Sequence, residues 1–278
     1  MLITTEVANA NHVELALKHD IDILWIGARS TVSPFIVQEI AEALRGTDKP
    51  VLIKNPVNPD LSLWLGAVER FYSCNVKNLG VIHRGFSTYE KTNYRNNPEW
   101  QIAIELQNKF PDLPLILDPS HIAGRRDIIF DLCQTALGLN YDGFMVETHH
   151  DPDNAWSDAA QQVTPSSLIK IIKDLKIRKI TDHADEYKNN LNNLRTKINL
   201  VDNQLLETLG KRMSIAEEIG VLKKENNVAV LQSKRWNEIL EKMIADGKKK
   251  DLSEQFILRV YKAIHQESIN HQQSIFKQ

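Results

Sequence analysis

A chain of 278 residues, 42% hydrophobic and 25% charged, has room for two domains and a sizeable core. Its formal net charge of −2 excludes a general nucleic-acid or membrane-surface binder, and no apolar run approaches the roughly 18 residues of a membrane span. The two cysteines, Cys74 and Cys133, make no disulfide framework, and the opening MLITTEVANANHVE lacks a signal peptide's basic flank and apolar stretch, so a reducing cytoplasm is the expected location.

The strands read in chain order as LITTE (2–6), IDILWIG (21–27), PVLIKN (50–55), VKNLGVIHR (76–84), PLILD (114–118) and DGFMVE (142–147). Helix-compatible segments fall between them at 9–19, 34–45, 61–73, 98–109 and 125–138, and a last one follows at 165–176. Apolar strands separated by amphipathic helices predict parallel βαβ units. Each unit ends in charge or imidazole: Glu6, Arg29, Lys54, His83–Arg84, Asp118 with His121, and Glu147 with His149. In a (β/α)8 barrel the C-terminal strand ends share one rim, where the active site lies. Six units in about 176 residues fall short of the eight units and about 250 residues of a full barrel. An open doubly wound sheet is the alternative, but no GxGxxG loop favours it.

Two constellations sit on this rim. His121, Glu147 and Asp158 combine an imidazole with two carboxylates, a set suited to Mn, Fe, Co or Zn. Arg29, Lys54 and Arg84 come from three strand ends, as a phosphorylated or carboxylated substrate requires. A single strand-end cation is more often a solvated rim residue; six polar endings together give the set its weight. The adjacent His149 and His150 are expected to face differently on the surface, and His12 and His19, seven apart on a predicted helix, need no ligand role.

The segments DILWIGARS, KPVLIKN, GVIHRGFSTYE, LILDPSHIAGRR, GFMVETHHDPDNAWSDAAQQ and TPSSL together resemble the smaller type I 3-deoxy-D-arabino-heptulosonate 7-phosphate (DAHP) synthases over residues 2–175. The 3-deoxy-octulosonate 8-phosphate synthases share several of these motifs and are the nearest competitor. The resemblance implies a (β/α)8 barrel that condenses phosphoenolpyruvate with erythrose 4-phosphate. It assigns Arg29, Lys54 and Arg84 to phosphoenolpyruvate, Lys54 among the catalytic residues. It assigns His121, Glu147 and Asp158 to a divalent metal (Mn²⁺, or Fe²⁺, Co²⁺ or Zn²⁺) that positions and polarises the aldehyde or its attacking water. The family's GPCS-like and KPRT-like motifs do not occur in this sequence. Cys74 and Cys133 fall on predicted helices and cannot replace the missing Cys ligand. The chain starts where the family's third strand would stand, so the barrel is expected to be incomplete, with exposed edges, weakened metal binding and impaired activity.

Beyond Pro165 the grammar changes. No proline follows, and residues 183–278 carry 16 Lys/Arg against 13 Asp/Glu, net +3, leaving −5 for the rest. A boundary near 176–184, without a Gly/Ser linker, separates residues 1–178 from 183–278 by a stiff junction. Apolar positions then recur at 3,4 spacing: Leu191, Leu194, Ile198, Val201, Leu205, then Ile215, Ile219 and Leu222. The pattern predicts one helix of roughly 40 residues, about 60 Å long, whose seam needs companions or a second chain. Companion helices are expected at 233–246, stopped by Gly247, and at 253–273, with Ser253 as N-cap. Arg212 interrupts the seam beside Thr208. It either pairs with an anion or snorkels to the edge, and the spacing does not decide.

The run LRTKINLVDNQLLETLGKRMSIAEEIGVLK, continued by LQSKRW, DGKKKDLS and HQESINHQ, resembles the all-helical chorismate mutases over residues 185–273. That family's roles fall on Arg195, Arg212, Lys223, Arg235, Ser268 and Gln272. It forms an intertwined homodimer in which Arg195's counterpart reaches into the partner's site. Gln232 stands in the substrate region where an Asp is frequent, and Trp236 where a Glu is frequent. Rearranging chorismate to prephenate is pericyclic and needs no cofactor, nucleophile or proton shuttle. It needs cations to clamp two carboxylates, the role of Arg195, Arg212 and Arg235, and donors to the ether oxygen, the role of Lys223 and Gln272.

The sequence thus reads as a fusion of two shikimate-pathway activities, with prephenate as a candidate feedback ligand and neither nucleic acid nor membrane as a partner. The alternative keeps only the mutase active and makes the barrel a regulatory or dimerisation module.

Overall fold

The computed structural model describes residues 1–89, 92–178 and 185–277, except for the Ser233 side chain. The chain divides into two compact units, Met1–Ile180 and Thr181–Gln278. The junction expected at 176–184 lies largely outside the described residues. Among the described residues, no helix is long and apolar enough to cross a membrane.

The first unit is built on β1 (Thr4–Val7), β2 (Ile23–Ile26), β3 (Val51–Lys54), β4 (Leu79–His83), β5 (Leu115–Leu117) and β6 (Gly143–Phe144). Every pairing is parallel, and the strands lie side by side in chain order. A doubly wound sheet reverses its order partway. This one never does, so right-handed crossovers put the helices on one face, as in a barrel. Those helices are α1 (Ala10–Lys18), α2 (Ala28–Thr31), α3 (Pro34–Ala43), α4 (Leu61–Ser73), α5 (Trp100–Lys109), α6 (Pro119–Ala123), α7 (Ile129–Gly138) and α8 (Pro165–Asp174). Asn9, Ser33, Asp60, Asp118 and Thr164 cap α1, α3, α4, α6 and α8 by accepting a backbone N–H, with Pro34, Pro119 and Pro165 opening three of them.

Strand alternation sorts the side chains. Val7, Ile26, Ile53, Val81 and Leu115 face the helices and are fully buried. The other parity, Glu6, Trp25, Leu52, Lys54, Ile82, Ile116 and Asp118, faces the concave side. Paired in register, Glu6, Trp25, Leu52 and Gly80 form one row across four strands. Trp25, Leu52 and Ile116 are only half-buried there, because a six-stranded half-barrel leaves its concave face open.

His83 corrects one sequence expectation. It shares a parity with Val81 and points into the helix layer, away from the rim. Its ring lies among Trp64, Phe86, Trp100 and Tyr141, and Nδ1 is 2.7 Å from the Tyr141 hydroxyl. Burial holds this imidazole down at about 4, against an ordinary 6.5. Folded protein therefore keeps it neutral where unfolded chain takes up a proton. Its stabilisation is complete above about pH 6.5 and is lost as pH falls towards 4, a change of about 3 kcal/mol. We expect His83→Gln to flatten that part of the stability profile, read from urea midpoints followed by tryptophan fluorescence. An unchanged slope would assign the acid sensitivity elsewhere.

The second unit holds α9 (Asp185–Glu225), α10 (Ser233–Lys248) and α11 (Glu254–Lys277). The C-terminal part of α9 runs alongside α11 in the same direction. Their closest approach needs Gly220, where a Cβ would sit 3.1 Å from Gln272 Cα. Ser253 caps α11 by accepting from Phe256 N at 3.2 Å, as expected. Gly247 does not stop α10, which continues to Lys248. Its lack of a side chain makes room for Ile257, whose Cγ1 would lie 2.6 Å from a Cβ. Towards its N-terminus α9 leaves Leu194, Ile198, Val201 and Leu205 between 55% and 61% exposed.

Candidate active sites

In the first unit, the sequence-predicted residues Arg29, Lys54, Arg84, His121, Glu147 and Asp158 all line one cleft of about 470 Å³ at the C-terminal strand ends. Strand parity delivers Glu6, Trp25 and Lys54; Arg84 and Glu147 follow just after β4 and β6, and short helices deliver Arg29 on α2 and His121 on α6. Asp158, at positive φ, opens a 3-10 turn. His149 does not line the cleft, and its ring lies 4.4 Å from that of His150, so these neighbours do not face apart as expected.

Asp118, read from the sequence only as a polar ending, organises the cleft floor. One carboxylate oxygen accepts from Lys54 Nζ at 2.8 Å and lies 2.8 Å from His121 Nδ1; the other caps α6. Burial alone would raise this carboxyl, but His121 and Lys54 outweigh it and hold it at about 2. Lys54 also lies 4.4 Å above the Trp25 ring. Burial keeps Arg84 below its usual value; Asp118 opposes this, while Arg95 and Arg29 add repulsion. With Lys54 buried and Arg84 half-buried beside the exposed Arg29, the cleft gathers three cations that match an anion.

Beside it, His121, Glu147 and Asp158 offer ligand atoms within 4.8 Å of one another. His121 Nε2 faces Glu147 Oε1 at 3.5 Å, while Nδ1 lies 2.8 Å from an Asp118 carboxylate oxygen. A carboxylate behind an imidazole is how metal-binding histidines are oriented, so the donor set fits a divalent cation. Both cysteines are buried in the helix layer, Cys133 within α7 and Cys74 at the end of α4, so neither adds a ligand. Sequence reasoning missed Arg95, Asn96 and Gln161, which bind the predicted residues but lie in a loop and a 3-10 turn without periodicity.

In the second unit, a cleft of about 280 Å³ is lined by Arg212, Lys223, Gln232, Arg235, Ser268 and Gln272. Arg212, the seam violation, donates to Ser268 Oγ. Lys223 donates to Gln272 Oε1 at 3.0 Å and to the Val230 carbonyl at 2.6 Å. Among the described residues, no carboxylate lines this cleft. Trp236 stacks on His265 at 3.9 Å, and burial, then Arg212 and Lys223, hold that imidazole below its ordinary value. His265 was not singled out from the sequence. Arg195 is exposed on α9 and does not line the cleft.

A one-faced parallel half-barrel with a cationic cleft and a His/Glu/Asp cluster at its strand ends, joined to a helical unit with its own cationic cleft, defines the class. The chain belongs to the DAHP synthetase I family, whose model matches residues 1–183, and its residues 194–273 match the chorismate mutase type II model. A phospho-2-dehydro-3-deoxyheptonate aldolase of Thermotoga maritima is 31% identical over 157 residues, 56% of this chain and 44% of that protein. A bifunctional chorismate mutase/prephenate dehydratase of Buchnera aphidicola subsp. Acyrthosiphon pisum is 32% identical over 89 residues, 32% of this chain and 23% of that protein. A solved structure, a truncated form of 3-deoxy-D-arabino-heptulosonate 7-phosphate synthase from Thermotoga maritima, superposes with a TM-score of 0.56 at 26% identity, over 63% of this chain and 64% of that one. The chain thus spans less than half the length of the Thermotoga maritima aldolase it matches.

Proposed function

We propose that residues 1–178 condense phosphoenolpyruvate with erythrose 4-phosphate to DAHP, and that residues 183–278 rearrange chorismate to prephenate, both in a reducing cytoplasm. One observation carries the barrel assignment: six sequence-predicted residues from separate segments meet in a single cleft. Arg29 and Arg84 bind the phosphate and carboxylate of phosphoenolpyruvate. Lys54, held by Asp118 over Trp25, presents its ammonium at the same anion. His121, Glu147 and Asp158 would hold a divalent metal, Mn²⁺ or else Fe²⁺, Co²⁺ or Zn²⁺, which supplies Lewis-acid polarisation of the aldehyde oxygen.

In the mutase, Arg212 and Arg235 clamp carboxylates, with Ser268 and Gln232 completing substrate binding. Lys223 and Gln272 donate to the ether oxygen as charge develops there. Arg195 acts on the partner's site in a homodimer that covers the exposed α9 seam. Prephenate bound in the helical unit reports pathway output to the barrel; equal DAHP formation with and without prephenate would sink that regulation.

The open concave face supports a second reading, in which only the mutase turns over and the barrel is a regulatory or dimerisation module. The discriminating assay is DAHP formation by the 278-residue chain with phosphoenolpyruvate, erythrose 4-phosphate and Mn²⁺. Product is the expected result. A folded protein that makes prephenate but no DAHP would establish the second reading.

A further inference from the structure

The loop after β4 carries two residues that tie the halves of the barrel cleft together. Asn96 is buried; its Oδ1 accepts from Arg84 Nη1 at 2.8 Å, and its Nδ2 donates to the His121 carbonyl at 2.6 Å. Arg95 Nη1 donates to Asp158 Oδ1 at 2.6 Å and to Gln161 Oε1 at 2.7 Å. Gln161, also buried, passes the connection on by donating to Glu147 Oε2 at 2.8 Å. The amide orientations follow from chemistry: a guanidinium can only donate, and a carbonyl or carboxylate can only accept.

The fold makes room for this dipeptide at two glycines in left-handed conformations. At Gly85 (φ +76) a Cβ would fall 2.7 Å from the Asn96 carbonyl oxygen. At Gly124 (φ +65), which ends α6, it would fall 2.5 Å from Arg95 Cβ. The backbone N–H groups of Arg95 and Asn96 donate to the carbonyls of Ala123 and Ile122 at 3.4 and 3.2 Å. The dipeptide is thus wedged between the strand end that bears Arg84 and the helix that bears His121.

Each candidate metal ligand has a polar group behind it: an Asp118 carboxylate oxygen lies 2.8 Å from His121 Nδ1, Gln161 donates to Glu147 Oε2, and Arg95 donates to Asp158 Oδ1. Arg95 stands behind the last two. We infer that Arg95–Asn96 is a positioning element, in which Arg95 aims Glu147 and Asp158 at a shared cation while Asn96 holds Arg84 in the adjoining anion pocket. This rests on the reading of the cleft as a metal and phosphoenolpyruvate site.

The sign of one effect tests it. By Coulomb's law alone, removing a guanidinium beside a cation site tightens cation binding. Loss of an orienting partner instead weakens it, typically 10–100-fold. We expect Arg95→Leu in the full chain to raise the Mn²⁺ dissociation constant by roughly that factor, read from the free-Mn²⁺ electron paramagnetic resonance signal. Arg95→Lys, whose single ammonium can replace Nη1 at both acceptors, recovers most of the affinity. Gln161→Met cuts the link to Glu147 without changing charge and weakens Mn²⁺ in the same direction; it also serves if Arg95→Leu fails to fold. Asn96→Ala weakens phosphoenolpyruvate in calorimetric titration by about tenfold, the loss of one charge-assisted hydrogen bond. Mn²⁺ binding in folded Arg95→Leu or Gln161→Met that is unchanged or tighter would overturn the inference. Wild-type protein that binds no Mn²⁺ would overturn the underlying reading of the site instead.

Discussion

If the helical unit turns over chorismate as proposed, Arg212→Ala is expected to lower that turnover by roughly 10²–10³-fold while helical content and oligomeric state stay unchanged. The size follows from what the group replaces. On that reading, clamping a dianion in a reactive conformer falls to few donors, and among the described residues no carboxylate lines the cleft. The retained fold follows from where Arg212 sits. Its side chain is only half-buried and reaches Ser268, so truncation leaves no buried charge behind. The α9–α11 contact is carried elsewhere, by Gly220 against Gln272 and by Glu217 Oε1 with His271 Nδ1 at 2.7 Å. Circular dichroism and light scattering beside the turnover assay separate the two roles. An unfolded helical unit would make Arg212 a structural residue, and full activity would remove it from the site.

That residue also shows how much the sequence made legible. The 3,4 spacing located α9 and identified Arg212 as its one charged interruption. Spacing could not say whether the side chain left the seam or served it, because that depends on Ser268, 56 residues away. Polar endings located the barrel rim for the same kind of reason: a charge closing an apolar strand must reach solvent or a partner. His83 and Arg84 mark the limit. Both end the same strand, the residues behind them are apolar on both faces, and alternation alone does not say which parity points inward. Register settles it by pairing Lys54 with Ile82. A glycine near a helix end usually signals a stop, whereas Gly247 answers to Ile257. Arg95, Asn96 and Gln161 leave no periodic trace, since residues of loops and short turns are placed by what they bind.

Lys54→Met is expected to destabilise the first unit by about 3–5 kcal/mol at neutral pH and to abolish the proposed phosphoenolpyruvate binding. The Lys54 and Asp118 side chains are 6% and 1% exposed at 2.8 Å separation, so removing the ammonium strands a carboxylate out of water. His121 softens the loss without replacing it, because an imidazole carries charge only when protonated. Four of the five tryptophans lie before residue 160, so urea unfolding followed by their fluorescence reports mainly this unit. The partner test is Asp118→Asn, which keeps an oxygen for the cap on His121 N and removes the charge. If the pair is coupled, Lys54→Met with Asp118→Asn together destabilise less than the sum of the two, by about 0.5–3 kcal/mol. Acid behaviour gives an independent check. Asp118 is held at about 2 in the folded protein, below its ordinary 3.8, so its contribution is present above about pH 4 and is lost as pH falls towards 2. Without Lys54, burial pushes that carboxyl upward, and acid unfolding of the Lys54→Met protein begins at higher pH. Strict additivity of the two substitutions, with an unchanged acid midpoint, would mean that His121 and not Lys54 makes the buried carboxylate tolerable. Lys54 would then act in the cleft by its charge towards substrate alone.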